Sequence, residues 1–147
     1  MHIAIGADHG GFELKEELKK FIKTEGYEVT DFGTNSSESV DYPYLTLNTA
    51  ISVAKGENQF GIFICGSGVG ASIVANKVHG IRAALCYNDE IARLSREHNN
   101  ANFLCLAGRF LDKQEAFKIV NIWLKTPFSG GRHEKRLNLI EEIEKKI

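Results

Sequence analysis

Ile62-Phe63-Ile64-Cys65-Gly66-Ser67-Gly68-Val69-Gly70-Ala71-Ser72 is the stretch that decides the fold. With Phe60 and Gly61 ahead of it, the segment up to Ile64 is apolar and mostly β-branched or aromatic, and it reads as a buried strand. Gly66, Gly68 and Gly70 then form a turn in which the backbone can take positive φ and approach a ligand closely. From Ala71 onward the sequence reads as a helix. A strand, a glycine loop and a helix N-terminus make an anion site, because free N–H groups and the helix dipole point into the loop. Cys65 stands at the mouth of that loop, where the same groups would favour a thiolate. A free cysteine is most often a small core residue. At the end of a strand and against a glycine loop, the functional reading is the stronger one.

Outward from this centre the chain alternates. Residues 2–6, 28–32, 81–86 and 103–107 read as further strands. Leu14, Leu18, Phe21 and Ile22 fall at helical spacing, with charged residues on the other face, and Gly26 ends that helix. A second helix is expected from about 44 to 55, and the one after the glycine loop runs to about 78. Asn88-Asp89-Glu90 caps another, which ends near 98–100. Asp112 and Glu115 have capping-box spacing for a helix to 124. Leu137, Ile140, Ile143 and Ile147 line the apolar face of a last helix, and Pro43 and Pro127 mark loops. Strands alternating with helices predict right-handed βαβ units, a parallel sheet and helices on both faces. Ligands in such sheets bind beyond the carboxyl ends of the strands, where the winding reverses. The exit loops of the first and third strands, Asp8-His9 and 65–70, therefore face one crevice. Winding alone suggests the strand order 2-1-3-4-5.

The 147 residues suit a single domain with one real core, and 43% hydrophobic with 25% charged residues excludes the disordered classes. A net charge of −1 argues against broad electrostatic binding of nucleic acid. No apolar run approaches the roughly 20 residues that span a membrane, and a strand opening at His2 leaves no room for a signal peptide. Cys65, Cys86 and Cys105 are odd in number and lack a C-x-x-C pattern, which fits reduced thiols and a cytoplasmic setting.

The crevice offers a thiol (Cys65), a carboxylate (Asp8), an imidazole (His9) and a hydroxyl (Ser67). Arg109, Arg132 and Arg136 lie near loops. Arg132 and Arg136 are four apart, so they share a helix face, and paired guanidiniums suit a phosphate monoester. No two histidines have metal-ligand spacing on one element, so no metal is expected. A cysteine phosphatase of the C-x₅-R type needs arginine at position 71, where this chain has Ala71. A dinucleotide fold needs G-x-G-x-x-G, whereas the loop reads Gly66-x-Gly68-x-Gly70. Asp89 does follow about 20 residues later, so a nucleotide- or phosphosugar-binding module survives as a weaker alternative.

Gly-Ala-Asp-His-Gly-Gly at 6–11, Asp-Tyr-Pro at 41–43, Cys-Gly-Ser-Gly-Val-Gly at 65–70 and Ala-Asn-Lys-Val at 75–78 carry a family resemblance. So do Ile-Arg-Ala-Ala-Leu at 81–85, Arg-Glu-His-Asn-Asn-Ala at 96–101 and Gly-Gly-Arg-His at 130–133. In order and over the whole chain, they resemble the ribose-5-phosphate isomerase B family, which also holds galactose-6-phosphate and allose-6-phosphate isomerases. The resemblance implies a Rossmann-like α/β/α sandwich with a five-stranded parallel sheet in the order 2-1-3-5-4, a homodimer or dimer of dimers, and no cofactor. It implies interconversion of ribose 5-phosphate and ribulose 5-phosphate through an enediolate. Cys65 would be the base, since the branch that uses a glutamate carries it at the position of Ala71. Ser67 would bond near the thiolate or the substrate, and the amides of Gly66, Gly68, Val69 and Gly70 would hold the oxyanion. His98 would open the furanose ring with help from Asp8. His9, Arg109, Arg132 and Arg136 would hold the phosphate, Asn99 a sugar oxygen, and Tyr42 would line the pocket.

Winding adds a constraint. Cys65, Asp8 and Arg109 follow strand ends, at the catalytic edge. His98 and Asn99 end a helix that starts at that edge and descends about 16 Å over eleven residues. Arg132 also follows a descending helix. An isologous dimer would bring one subunit's lower edge to the other's upper edge, with the C-terminal helix, about 133–147, packed on the partner.

Overall fold

The computed structural model describes residues 1–147. The chain runs β1 (His2–Ala7), α1 (Phe12–Thr24), β2 (Glu28–Asp31), α2 (Tyr42–Ala54), β3 (Phe60–Cys65), α3 (Val69–Ala75), β4 (Ala83–Leu85), α4 (Asp89–Asn99), β5 (Phe103–Ala107), α5 (Lys113–Lys125) and α6 (Arg132–Glu144). All strand pairs are parallel, in the order β2-β1-β3-β5-β4. This is the order implied by the resemblance and it corrects the one suggested by winding. The reason lies in composition. Phe103–Ala107 is apolar throughout and wholly buried, as a central strand must be, whereas Ala83–Leu85 is short and half-buried and suits an edge.

Side chains alternate across the sheet and make a core on each face. On one face Ile3, Ile5, Ile62, Ile64, Leu104 and Leu106 pack under Leu18 and Ile22 of α1 and under Ile119, Val120 and Trp123 of α5. On the other, Ala4, Phe63, Cys65, Phe103 and Cys105 pack under Ala50 and Val53 of α2 and under Ala71 and Ala75 of α3. The result is the expected α/β/α sandwich. Each fully buried Ile, Leu or Phe contributes roughly 1.5–3 kcal/mol, so β1, β3 and β5 carry most of the stability.

Several predicted ends move. The helix expected near residue 44 starts at Tyr42, because Pro43 sits in its first turn, where the missing N–H costs nothing. The helix expected to run to 78 starts at Val69 and stops at Ala75. Its end is set by Asn76, whose side chain donates to the Ala83 carbonyl at 3.0 Å and accepts from the Ala83 amide at 2.8 Å. The caps of α4 and α5 are as predicted: Asn88 accepts from the Ile91 amide at 2.9 Å and Asp112 from the Glu115 amide at 2.8 Å. Beside the carboxyl end of β2, Lys15 is fully buried. Its Nζ donates to both oxygens of Asp31, at 2.8 and 2.7 Å, and to the Thr34 carbonyl at 2.6 Å.

Candidate active site

The strand order makes β1, β3 and β5 neighbours, and their exit loops form one cleft of about 510 Å³. Asp8, His9, Tyr42, Cys65, Gly66, Ser67, Val69, Gly70 and Arg109 line it, as the sequence predicts; Ile73 joins them. Gly68 stands behind the wall, with φ 79°, and a Cβ there would run into Leu85 and the Leu106 backbone, so only glycine fits.

Each polar group is held in place. The Gly108 amide donates to the Cys65 carbonyl at 2.8 Å, and the Arg109 amide donates to the Gly66 carbonyl at 3.0 Å. The glycine loop is thereby fastened to the exit of β5. One oxygen of Asp8 accepts the Gly10 amide at 2.9 Å, leaving the other for the cleft. Nδ1 of His9 is engaged by the Val40 backbone at 3.1 Å, which leaves Nε2 for a ligand. Ser67 Oγ accepts from the Val69 amide at 3.3 Å. All three thiols are buried, but only Cys65 lines the cleft. Burial also acts on the Cys86 and Cys105 thiols. It pushes the Cys86 thiol up to about 11, against a hydrogen bond with Ser95 that lowers it, and it holds the Cys105 thiol far above its ordinary value. Both stay neutral and inert at physiological pH.

The remaining predicted residues lie elsewhere. His98 and Asn99 end α4, beside the lower ends of the strands, where the Asn102 carbonyl accepts the Gly61 amide. Phe103 pairs with Gly61 at that edge and Ala107 pairs with Cys65 at the other. Four residues of strand put about 13 Å between the two levels. Within one chain His98 and Cys65 occupy opposite edges of the sheet.

The lower corner is itself built as a unit. Arg96 is buried with no carboxylate partner. Its guanidinium donates to the carbonyls of Ala101 and Thr126 and to Asn100 Oδ1, and lies 4.7 Å from the Phe60 ring centroid. The Ser129 amide donates to the Glu97 carbonyl at 3.0 Å, binding the turn before α6 to α4. Gly130 and Gly131, at φ 66° and 58°, turn the chain into α6. Arg132 and Arg136 stand exposed on its first two turns, and Arg132 lies at the positive end of the helix dipole. Cations at that end cost stability, which suits a site for an anion. The ring of His133 lies on the ring of His98, with centroids 4.1 Å apart. This partner was not assigned from sequence, because no periodicity links positions 98 and 133; only the fold brings them together.

The chain resembles known proteins over nearly its whole length. The family profile described as Ribose/Galactose Isomerase matches residues 3–140. The chain belongs to that family. The Escherichia coli ribose-5-phosphate isomerase B is 46% identical over 144 residues, covering 98% of this chain and 97% of that one. The Clostridium thermocellum ribose-5-phosphate isomerase B structure superposes with a TM-score of 0.97 at 56% identity, covering 99% of both chains. The Mycoplasma genitalium ribose-5-phosphate isomerase B, solved with bound ribulose 5-phosphate, superposes with a TM-score of 0.96 at 42% identity, covering 99% of this chain and 97% of that one. Both structures share the fold described above.

Proposed function

We propose that this protein is an aldose–ketose isomerase that interconverts ribose 5-phosphate and ribulose 5-phosphate. The observation that carries the reading is the cleft in which Cys65, Asp8, His9 and Arg109 converge at one strand-end edge, in a chain that matches ribose-5-phosphate isomerases B from end to end.

The chemistry asks for little beyond these groups. The Cys65 thiolate removes the C2 proton of the open-chain aldose, and the electron pair moves toward C1 to give an enediolate. The amides of Gly66, Gly68, Val69 and Gly70 stabilise the oxyanion, and Ser67 bonds beside the thiolate. The proton returns to C1, while a proton passes from O2 to O1 with Asp8 at the hydroxyls; the product is the ketose. His98 opens the furanose ring beforehand, Asn99 holds a sugar oxygen, and His9, Arg109, Arg132 and Arg136 hold the phosphate. Tyr42 closes the side of the pocket.

Because His98 and Cys65 lie on opposite edges, the reading includes a homodimer with two shared sites, with a dimer of dimers as the larger form. Asp8, His9, Tyr42, residues 65–70 and Arg109 come from one chain, and His98, Asn99, Arg132 and Arg136 from the other. Support comes from α6. Leu137, Ile140, Ile143 and Ile147 overhang an apolar groove of about 390 Å³ above Ile81, Ala83, Ala84 and Ala101. Ile140, Ile143 and Ile147 are 45%, 58% and 84% exposed, which an interface would cover. The whole chain then serves as one catalytic domain whose last helix packs on the partner. No helix is long and apolar enough to cross a membrane, and three free thiols support a cytoplasmic setting.

The matched family is named for galactose as well as ribose, so a hexose 6-phosphate is the second reading. Steady-state turnover of ribose 5-phosphate, allose 6-phosphate and galactose 6-phosphate tests both. The expected result is the highest kcat/KM on ribose 5-phosphate, with solvent deuterium entering C2 of the aldose. A higher value on either hexose phosphate would reassign the sugar. Binding without exchange of the C2 hydrogen would make the protein a phosphosugar-binding module.

A further inference from the structure

His133 has no part in the reaction as derived above, yet it is placed on a residue that does. It is the second residue of α6. Its ring plane lies 14° from that of His98, and the centroids are 4.1 Å apart. Both rings are half-buried. Stacking at this separation restricts rotation of each ring about its own χ2, so the contact fixes where the His98 nitrogens point.

The surroundings of the pair are unevenly charged. From α6 come Arg132 and Arg136. From α4 comes Glu97, whose carboxylate is already held by Arg93 at 2.6 Å. In the proposed dimer the opposite chain adds Asp8, His9 and Arg109. Packing against its neighbours, and then the charges of His98, Arg132 and Arg136, set His133 below the usual imidazole range, with Glu97 acting the other way. Two imidazolium ions stacked this closely would repel. The arginines disfavour a proton on His133.

We propose that His133 is a positioning residue that acts on the sugar through His98, and that a phosphate dianion on Arg132 and Arg136 makes the stacked pair take up a proton. The proposal rests on the isomerase reading. Without an anion, the two guanidiniums oppose a proton on the pair. A phosphate neutralises them, and the proton affinity of the pair rises. Ring opening then uses that proton: the C1–O4 bond breaks, O4 takes a proton from His98, O1 loses its proton to solvent, and C1=O forms. Occupancy of the phosphate subsite thereby arms the acid at the other end of the sugar.

Two measurements test this. The first is an NMR titration of the histidines in the wild-type protein, with and without saturating inorganic phosphate. Phosphate should raise the proton affinity of His98 at least threefold, an upward midpoint move of about half a pH unit, and should fail to do so in Arg136→Ala. The second compares His133→Ala with His133→Phe, which keeps a stacked ring that cannot titrate. His133→Ala should lower kcat on ring-closed ribose 5-phosphate roughly 10- to 100-fold. Solvent deuterium exchange into C1 of ribulose 5-phosphate should change far less, because that sugar is open-chain, its O5 being esterified. His133→Phe should recover part of the rate with a displaced acidic limb of the pH profile. A His98 midpoint unmoved by phosphate, or equal losses in turnover and in C1 exchange, would overturn the proposal. Failure of the wild type to turn over any sugar phosphate would instead overturn the isomerase reading.

Discussion

The ring of Tyr42 fills the space that a side chain on Gly70 would need, while the guanidinium of Arg109 lies only 3.3 Å from where a Cβ on Gly66 would stand. The first neighbour is an aromatic ring rooted in α2; the second is the tip of a flexible side chain. Gly70→Ala should therefore displace Tyr42 and destabilise the fold by about 1–3 kcal/mol, read by urea unfolding. Gly66→Ala should unfold at nearly the wild-type midpoint and raise KM for ribose 5-phosphate by moving Arg109. An unchanged KM for Gly66→Ala would mean that Arg109 does not hold substrate.

Only one of the three thiols should be reactive. Burial keeps Cys86 and Cys105 protonated, so iodoacetamide near pH 7.5 should modify Cys65 alone and abolish turnover. Cys65→Ala should fold normally and lower kcat by roughly 10²–10⁴, the share of a general base. Peptide mass mapping and deuterium exchange at C2 check this; wild-type exchange in Cys65→Ala would remove Cys65 from the mechanism.

Arg136→Ala should raise KM for ribose 5-phosphate about tenfold or more, as expected for loss of a charge-assisted bond. Neutral ribose, which has no phosphate to place, should lose far less. Equal losses on the two sugars would make Arg136 structural.

Inactive Cys65→Ala and inactive His98→Ala subunits, mixed and allowed to exchange, should regain activity. Each mixed dimer holds one doubly defective site and one intact site, up to a quarter of wild-type activity in a random mixture. Verified subunit exchange with no recovery would place both groups in the same chain's site.

Acid should weaken the fold through Asp31. Burial raises its carboxyl, but hydrogen bonds from Lys15, Lys19 and the Gly33 amide outweigh burial and leave it below the usual carboxylate range. A carboxyl depressed in the folded state contributes stability that is complete above its unfolded pKa of about 3.9 and is lost as pH falls through the folded value. Asp31→Asn should destabilise by about 3 kcal/mol near pH 7, since it strands the buried Lys15 ammonium. The gap between variant and wild type should narrow below about pH 4. A gap that stays constant on acidification would deny the linkage.

The upper half of the site was legible because its residues are contiguous. Asp8 and His9 leave one strand, 65–70 leave another, and the rule that parallel strands end at one edge joins them without further information. The lower half needed the resemblance for its roles and the fold for its neighbours. Nothing local connects His98 to His133, and the buried Arg96 that ties α4 to the turn before α6 looks in sequence like an ordinary surface charge. The place of β5 inside the sheet was written in its apolar run, yet winding order masked it. The end of α3 was not legible, because a side chain, Asn76, stops the helix through a strand seven residues on.

The two backbone bonds that fasten the glycine loop to β5 turn the cleft into a length gauge. Cys65 and Arg109 cannot drift apart while the Cys65 and Gly66 carbonyls are held by the Gly108 and Arg109 amides. With phosphate at one mark and C2 at the other, as proposed, a sugar one carbon longer must buckle to touch both.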